Sequence, residues 1–502
     1  MTTHPIPYES QLCAETLAFL RRLPGRLLIG GQWIASVAGR TFTTYEPSTG
    51  QPLAEVYQAE AEDVDRAVAA ARAAFEGPWR RITPLERERL LHRLADLIEQ
   101  RAQELAEIET LDNGKPLSAS KAIDVPSTVD MFRYFAGWPT KIEGAVKPVS
   151  IPNRLNYTLR EPVGVVGAII PWNFPLSLIS WKLGPALAAG NTVVLKPAEQ
   201  TPLSAIRFCE LVCEAGFPDG VVNLAQGPGE ITGAALVAHP GVDKIAFTGS
   251  TEVGRLIMKA AAGNLKRLSL ELGGKSPHII FADANVSQAA RAAAGAIFGN
   301  AGQSCNAGSR LLVQRPAYEQ ALEIITRRAE AIRVGPGMDA RSEMGPLTSA
   351  EHYQRVTGYI RSGVEQGAAV RVGAARPAGV PEGGYFVSPT VFDQVRDDMA
   401  IVREEIFGPV LAAMPFDTPE EAARLANATP YGLAAGVWTR DVATAHRMAG
   451  LLQAGTVWVN CYSQFDPASP FGGYKQSGFG REMGHEALEH YLETKSVWVA
   501  TS

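Results

Sequence analysis

The sequence predicts an α/β protein with a doubly wound parallel sheet, a second α/β region after it and a small appended β element. Three observations carry this. Short apolar runs alternate with helix-period segments from Gly164 to Phe281, the pattern of strands buried on both faces. A second alternation runs from about Gly273 to Ser477. Two strand-period segments, one around Leu155, Tyr157 and Leu159 and one over Ser496 to Ala500, lie outside both series. A chain of 502 residues also exceeds one ordinary domain and suggests about three.

The leading residues up to about Pro24 read as a helix or arm, and Leu27-Leu28-Ile29 with Gly30-Gly31 as a strand and turn. Ala61 to Phe75 has helical spacing. Pro84 to Leu111 reads as one long amphipathic helix, with Leu90, Leu91, Leu94, Leu97 and Ile98 at threes and fours. Asp112 to Pro116 ends it as a turn. In the first series the strands are Val165–Ile170, Thr192–Leu195, Val221–Leu224, Lys244–Phe247 and Leu268–Leu272. Helices follow from about Leu176, at Thr201-Pro202 with threonine as N-cap and proline first, over Glu230–Ala238 and over Ser250–Ala262. The second region carries helices Tyr318–Ile332 and Pro419–Ala426, and strands Thr390–Phe392 and Thr456–Asn460. Ligands of such sheets bind at the C-terminal ends of the strands.

Composition excludes several classes. Hydrophobic content of 46% and charged content of 20% are ordinary for a globular protein. A net charge of −5 with no basic stripe speaks against nucleic acid. Five cysteines, Cys13, Cys209, Cys213, Cys305 and Cys461, form no disulfide framework and suit a reducing compartment. Cys209 and Cys213 share one face of a helix as packing residues. The uncharged run Pro162–Trp181 is broken by Pro171, Asn173 and Pro175, so a strand, turn and helix explain it better than a membrane span. Arg21-Arg22 precedes a run too broken for an export signal. His485 and His490 are five apart where a zinc-protease helix needs four, so that segment reads as a solvated helix and no metal is expected.

The most informative stretch is Phe298–Arg310. It sets Cys305 among small and amide residues, with Gly302 and Gly308 flanking it. One reading is a nucleophile; the other is a small buried thiol in a turn. A nucleophile needs a base, an oxyanion site and a step that completes the reaction. Glu271, before Gly273-Gly274, could activate water or be a solvated strand-end acid. Asn173 could hold an oxyanion or cap a helix. Lys196 and Glu199 suit a ribose or phosphate, or form a surface pair. Phe247-Thr248-Gly249-Ser250 could cradle a phosphate at a helix start or be a plain tight turn. Gly227-Pro228-Gly229 begins a dinucleotide fingerprint, but Thr232 stands where its third glycine belongs.

Taken together, these stretches resemble the NAD(P)-dependent aldehyde dehydrogenase superfamily over nearly the whole chain. The shared motifs are Pro171-Trp172-Asn173-Phe174-Pro175, Lys196-Pro197-Ala198-Glu199, Phe247-Thr248-Gly249-Ser250, Leu270-Glu271-Leu272-Gly273-Gly274-Lys275, Gly302-Gln303-Ser304-Cys305, Glu404-Glu405-Ile406-Phe407-Gly408-Pro409 and Pro470-Phe471-Gly472-Gly473. The resemblance implies that Cys305 attacks an aldehyde, that Asn173 and the Cys305 N–H hold the oxyanion, and that Glu271 activates the water that hydrolyses a thioester. It implies Glu482 as an auxiliary proton relay. It implies NAD binding by Trp172, Lys196, Glu199, Gly229, Gly249, Ser250, Glu405 and Phe407, and a substrate pocket of Phe174, Leu178, Trp181, Ser304, Asn306 and Phe465.

The same resemblance implies a dinucleotide-binding domain over residues 1–143 and 163–274, a catalytic domain over 275–480, and an oligomerisation arm over 144–162 and 481–502. A cytoplasmic dimer or tetramer is expected. The apolar pocket, without an arginine, points to an uncharged aromatic or medium-chain aldehyde. Gly299 stands where some relatives carry a bulky aromatic. Asp466 either faces solvent or favours a cationic aminoaldehyde. Glu199 favours NAD over NADP, because it would repel a 2′-phosphate. A CoA-acylating enzyme and a non-catalytic relative are the rival readings, and intact Cys305, Glu271 and Asn173 oppose them. A plain cysteine hydrolase would lack a histidine for Cys305.

Overall fold

Five parallel strands form the centre of the first sheet: Val165–Ile169, Thr192–Lys196, Val222–Leu224, Lys244–Thr248 and Arg267–Glu271. Numbered in chain order they lie 3-2-1-4-5. That order reverses between the first and fourth strands, which opens a crevice at their C-terminal ends. The runs Val165–Ile169, Thr192–Lys196 and Lys244–Thr248 are buried at every position, as a sheet covered on both faces requires. The computed structural model describes residues 5–501; residues 1–4 of the expected leading arm and Ser502 lie outside the described residues.

Both edges of this sheet are closed by antiparallel strands. Leu27–Ile29 and Gln32–Ile34 cover one edge. Gly478–Phe479 covers the other, beside Arg267–Glu271. The chain therefore returns from the second sheet to the first just before Glu482. The second sheet has seven strands, all parallel except the edge strand Ala369–Val372. A third sheet pairs Arg154–Pro162 with Leu492–Ala500 over nine residue pairs and adds Val146–Lys147, a strand the sequence pattern did not reveal. Leu155, Leu159, Trp498 and Val499 on it are all at least 40% exposed.

Several local expectations are revised. The expected helix Pro84–Leu111 is two helices, Pro84–Gln100 and Ala102–Asn113, broken at Arg101 (φ −103°, ψ 22°). The first is amphipathic, with Thr83 and Glu86 forming a capping box. The second is buried at every residue from Glu104 to Asn113. Its acids look solvated in the sequence but meet distant partners. Glu104 accepts from Arg207 at 2.7 and 3.0 Å, and Glu107 accepts from Thr16 at 2.6 Å.

Thr201 does not cap its helix, which begins at Leu203; the Asp112 carboxylate accepts the Leu203 N–H at 2.7 Å instead. The expected helix from Glu230 starts as a π-helical turn, Gly229–Gly233, before Ala234–Ala238. Of the two helix cysteines, Cys209 is buried and Cys213 is exposed, so only the first packs. The segment His485–His490 is a single turn with Ala487 and Leu488 buried, not a solvated helix. His490 Nε2 accepts the Arg481 N–H at 3.0 Å. Among the described residues no group of His, Cys, Asp and Glu is arranged to hold a metal ion. No described helix is long and apolar enough to cross a membrane.

Candidate active site

Helix Val286–Phe298 delivers the cysteine loop and strand Arg310–Gln314 carries it away. Between them Asn300, Ala301 and Gly302 are all left-handed, with φ of 48°, 52° and 71°. This reverses the chain within a few residues and points it back toward the first sheet. Gly302 is needed twice over, because a Cβ there would lie 2.1 Å from Gly408 O. A Cβ on Gly274 would lie 2.2 Å from Cys305 O. The loops after residues 271, 299 and 404 therefore meet backbone to backbone around the thiol.

Cys305 is half-buried. Burial, and then the carboxylates of Glu271 and Glu405, push its thiol up, against the Cys305 and Asn306 N–H groups that favour the thiolate. Glu271 is buried, and neither of its oxygens has a hydrogen-bond partner. Burial, and then Glu482, raise it well above the carboxylate range, while Lys182 and Arg481 oppose them. A carboxyl in that state can take a proton from water more readily than a solvated one. Glu405 accepts the Gly274 N–H at 2.8 Å and is pushed up to about 7 by burial.

Asn173 is buried at the C-terminal end of the first strand, in the crevice. Its Nδ2 donates to Gln303 O at 3.0 Å, which leaves a second amide hydrogen beside the cysteine loop. Glu482 is buried and paired with Lys182, whose Nζ also donates to Thr248 Oγ1 at 2.7 Å. Glu482 Oε2 has no partner.

The remaining expected positions fall into two sets. Lys196 and Glu199 pair at 3.1 Å beyond the second strand. Gly229 opens the π-helical turn and Gly249 follows the fourth strand. Ser250 Oγ accepts the Val253 N–H at 3.2 Å, so its hydroxyl caps helix Thr251–Ala261. Away from these, the Trp172 ring meets Phe407 edge-on at 5.3 Å. Phe407 is itself left-handed, at φ 63°.

In the expected pocket, Phe174 stacks under Lys115 Nζ at 4.3 Å, and Leu178 is buried one turn before Trp181. Trp181 packs on Phe465 at 5.9 Å and on Phe471 at 5.6 Å, and Trp458 closes on Phe465 at 5.7 Å. Ser304 donates to Asn306 Oδ1 at 2.5 Å, and Asn306 Nδ2 donates to Ser463 Oγ at 3.0 Å. Asn306 thus braces the loop that carries Phe465. Asp466 is exposed, and its carboxylate accepts the Ala468 N–H at 2.9 Å, so it caps a turn.

Several residues at the site escaped the sequence reading. Lys182 is the only charge in Pro175–Ala189, a signal that could have flagged it. His352 Nε2 donates to Phe407 O at 2.7 Å, and Arg355 donates to Glu405 O at 2.9 Å, which fixes that loop from one helix. Burial pushes His352 down to about 4, so it serves as a neutral donor. Tyr462 donates to Asn306 O at 2.8 Å. None of these four follows a recognisable local motif.

Comparison with known proteins agrees with this architecture. A model of the aldehyde dehydrogenase family matches residues 33–497. The chain belongs to the aldehyde dehydrogenase family. It is 51% identical to an aldehyde dehydrogenase from Bacillus cereus whose structure is an NAD+ complex, with a TM-score of 0.96 over 98% of this chain and 99% of that one. It is 48% identical to the mitochondrial benzaldehyde dehydrogenase of Antirrhinum majus, over 95% of this chain and 89% of the relative. It is 41% identical to the betaine aldehyde dehydrogenase of Staphylococcus aureus, also solved with NAD+, with a TM-score of 0.95 over 98% of this chain and 97% of that one.

Proposed function

We propose that this aldehyde dehydrogenase uses NAD to oxidise an uncharged aromatic or medium-chain aldehyde to its acid. The observation that carries the reading is an unpartnered buried carboxylate, Glu271, facing a half-buried thiol, Cys305, beside a buried amide, Asn173. Cys305 Sγ adds to the aldehyde carbon as Glu271 takes the thiol proton. The oxygen of the resulting thiohemiacetal rests on the Asn173 amide and the Cys305 N–H. A bound dinucleotide would supply the acceptor for the hydride this carbon loses. A thioester remains on Cys305. Glu271 takes a proton from water, the water oxygen attacks the thioester, and the acid leaves as the thiol is restored. That proton returns to Cys305 Sγ, while Glu482 and Lys182 carry off the proton the thiol gave up on addition.

The residues present suit the dinucleotide. The half-exposed Glu199 carboxylate, oriented by Lys196, can accept ribose hydroxyls and would repel a 2′-phosphate. Gly229 has open space where a side chain would stand. Ser250 and Gly249 lie at a helix start suited to phosphate, and Trp172, Glu405 and Phe407 line the approach to Cys305. The Bacillus cereus relative's NAD+ complex supports the same cofactor.

The substrate reading rests on the aromatic wall of Phe174, Trp181 and Phe465, with Leu178, Ser304 and Asn306 beside it. A Cβ at Gly299 would meet nothing within 4 Å, which supports the expectation of a roomier tunnel there. Asp466, committed to a turn, is poorly placed to favour a cation. Exposed Leu155, Leu159, Trp498 and Val499 support an arm over 144–162 and 481–502 that joins a dimer or tetramer. The two separate parallel sheets support the division into a dinucleotide domain (1–143 and 163–274) and a catalytic domain (275–480). The sparse, odd set of cysteines supports a cytoplasmic setting.

Comparison of kcat/KM for phenylacetaldehyde, hexanal, betaine aldehyde and succinic semialdehyde, each with NAD and with NADP, tests the reading. The first two substrates with NAD should win. A clear preference for either charged aldehyde overturns the substrate class, and equal turnover with NADP overturns the role of Glu199. Acid formation without CoA separates this chain from an acylating relative.

A further inference from the structure

Asn173 is held, through its backbone carbonyl and its side-chain amide, at more points than a helix start needs. Asn300 Nδ2 donates to Asn173 O at 3.1 Å and to Gln303 O at 3.3 Å. Asn173 Nδ2 donates to the same Gln303 O at 3.0 Å. These residues close a ring in which Gln303 O is the shared acceptor. From helix Ala102–Asn113, Asn113 Nδ2 donates to Trp172 O at 2.7 Å and, at 3.5 Å, to Asn173 O. Gln303 is fixed in turn: its Nε2 donates to Asn300 O at 3.1 Å, and its Oε1 accepts the Thr348 N–H at 2.9 Å.

This arrangement is costly as packing. The side-chain oxygens of Asn173 and Asn300 are buried without partners. Asn300 also sits at φ 48°, ψ 34°, followed by a left-handed alanine. Buried amides with idle oxygens and a strained backbone are retained where the donor half does something an apolar side chain cannot.

We propose that Asn113 and Asn300 are positioning residues for the oxyanion hole. They grip the Trp172 and Asn173 carbonyls from two separate elements, so that one Asn173 amide hydrogen stays on Gln303 O and the other is presented to the aldehyde oxygen. The inference rests on the oxyanion reading of Asn173 given above. Asn113 comes from the buried helix Ala102–Asn113, whereas Asn300 comes from the loop of the nucleophile itself. The clamp therefore sets the distance between oxyanion donor and thiol, which must hold to within a few tenths of an ångström to act on a transition state.

A mutant cycle tests this, read as kcat, KM, NAD dissociation constant and Tm. Asn173→Ala should lower kcat by about 10²- to 10³-fold, the usual loss for one oxyanion donor. Asn300→Gly keeps a residue at home in the left-handed region but removes the amide. It and Asn113→Ser should each lower kcat about tenfold, with KM and NAD affinity within about twofold of the parent. In the Asn173→Ala background neither should cost anything further, because residues acting through one group are not additive. A purely structural role would instead lower Tm and multiply the losses.

Native kcat in both single variants, or full multiplication in the double variants, overturns the proposal. If Asn300→Gly proves unstable, Asn300→Ala and Asn113→Ala are read by the same criteria. A near-native kcat in Asn173→Ala alone would instead overturn the oxyanion assignment itself, and so separates the two failures.

Discussion

Two buried clusters, each of two carboxylates and one lysine, touch the same helix, Pro175–Ala189, and behave differently. At its start, Lys115 Nζ lies 3.1 Å from both oxygens of Asp124 and 3.6 Å from Glu109. Glu109 also accepts from Ser204 Oγ at 2.5 Å and from the Leu176 N–H at 3.3 Å. Every carboxylate oxygen there is paired. In the helix middle, Lys182 pairs with one oxygen of Glu482 and with Thr248. The other Glu482 oxygen and both of Glu271 are buried and idle. The same residue types thus make a scaffold where hydrogen bonds saturate them and, on the proposed mechanism, a reactive centre where they do not. Burial alone does not distinguish them, because it raises Glu109 and Glu271 alike.

Substituting the reactive cluster should give the largest effect. Glu271→Gln is expected to lower steady-state turnover by about 10³-fold, within the range of a proton-transfer group. A burst of reduced nicotinamide should survive, slowed by the loss of the group that takes the thiol proton, because thioester formation precedes hydrolysis. The variant should also be at least as stable as the parent. The native carboxyl is raised in the folded state, so it costs stability as pH climbs above the unfolded carboxylate range. The Tm advantage of Glu271→Gln should therefore grow with pH. A lost burst, or a lower Tm, would place Glu271 with the scaffold.

The saturated cluster should answer in stability. Lys115→Met leaves Glu109 and Asp124 buried without their cation and should cost about 3–5 kcal/mol in denaturant unfolding. Those carboxyls must then fold protonated, so the loss should be smaller at low pH and larger at high pH. The kcat of the remaining folded enzyme should stay within a few-fold. A large fall in kcat with unchanged stability would break the contrast.

Glu482→Gln sharpens it with the smallest effect. Glu482 is the main charge raising Glu271. Its neutralisation should move the acid limb of the kcat profile to lower pH, with a loss of at most about 10²-fold. An unmoved limb with a uniform loss would leave Glu482 a relay that does not tune the base.

Much of this protein is readable along its chain. The apolar runs at Val165, Thr192 and Lys244 are strands because a sheet covered on both faces needs uninterrupted burial. The unusual turn at Cys305 announces itself through small and amide residues. Other features mislead for a common reason. The acids of 104–112 look solvated, and Thr201 looks like a cap, because Arg207, Thr16 and Asp112 are out of view of a local window.

The sequence by itself determined most element types and the doubly wound class, and its resemblance to the aldehyde dehydrogenase family singled out Cys305, Glu271 and Asn173 as the expected nucleophile, base and amide. Local propensity and apolar periodicity are sufficient for the element types. The tertiary structure decided what each charge means. The return of Gly478–Phe479 to the edge of the first sheet brings Glu482 and Lys182 against Glu271. The meeting of the cysteine loop and helix Ala102–Asn113 sets Asn300 and Asn113 on the backbone carbonyls of Asn173 and Trp172. Those pairings depend on residues up to 300 positions apart, as for Lys182 and Glu482, and only the packed chain sets their distance and solvation.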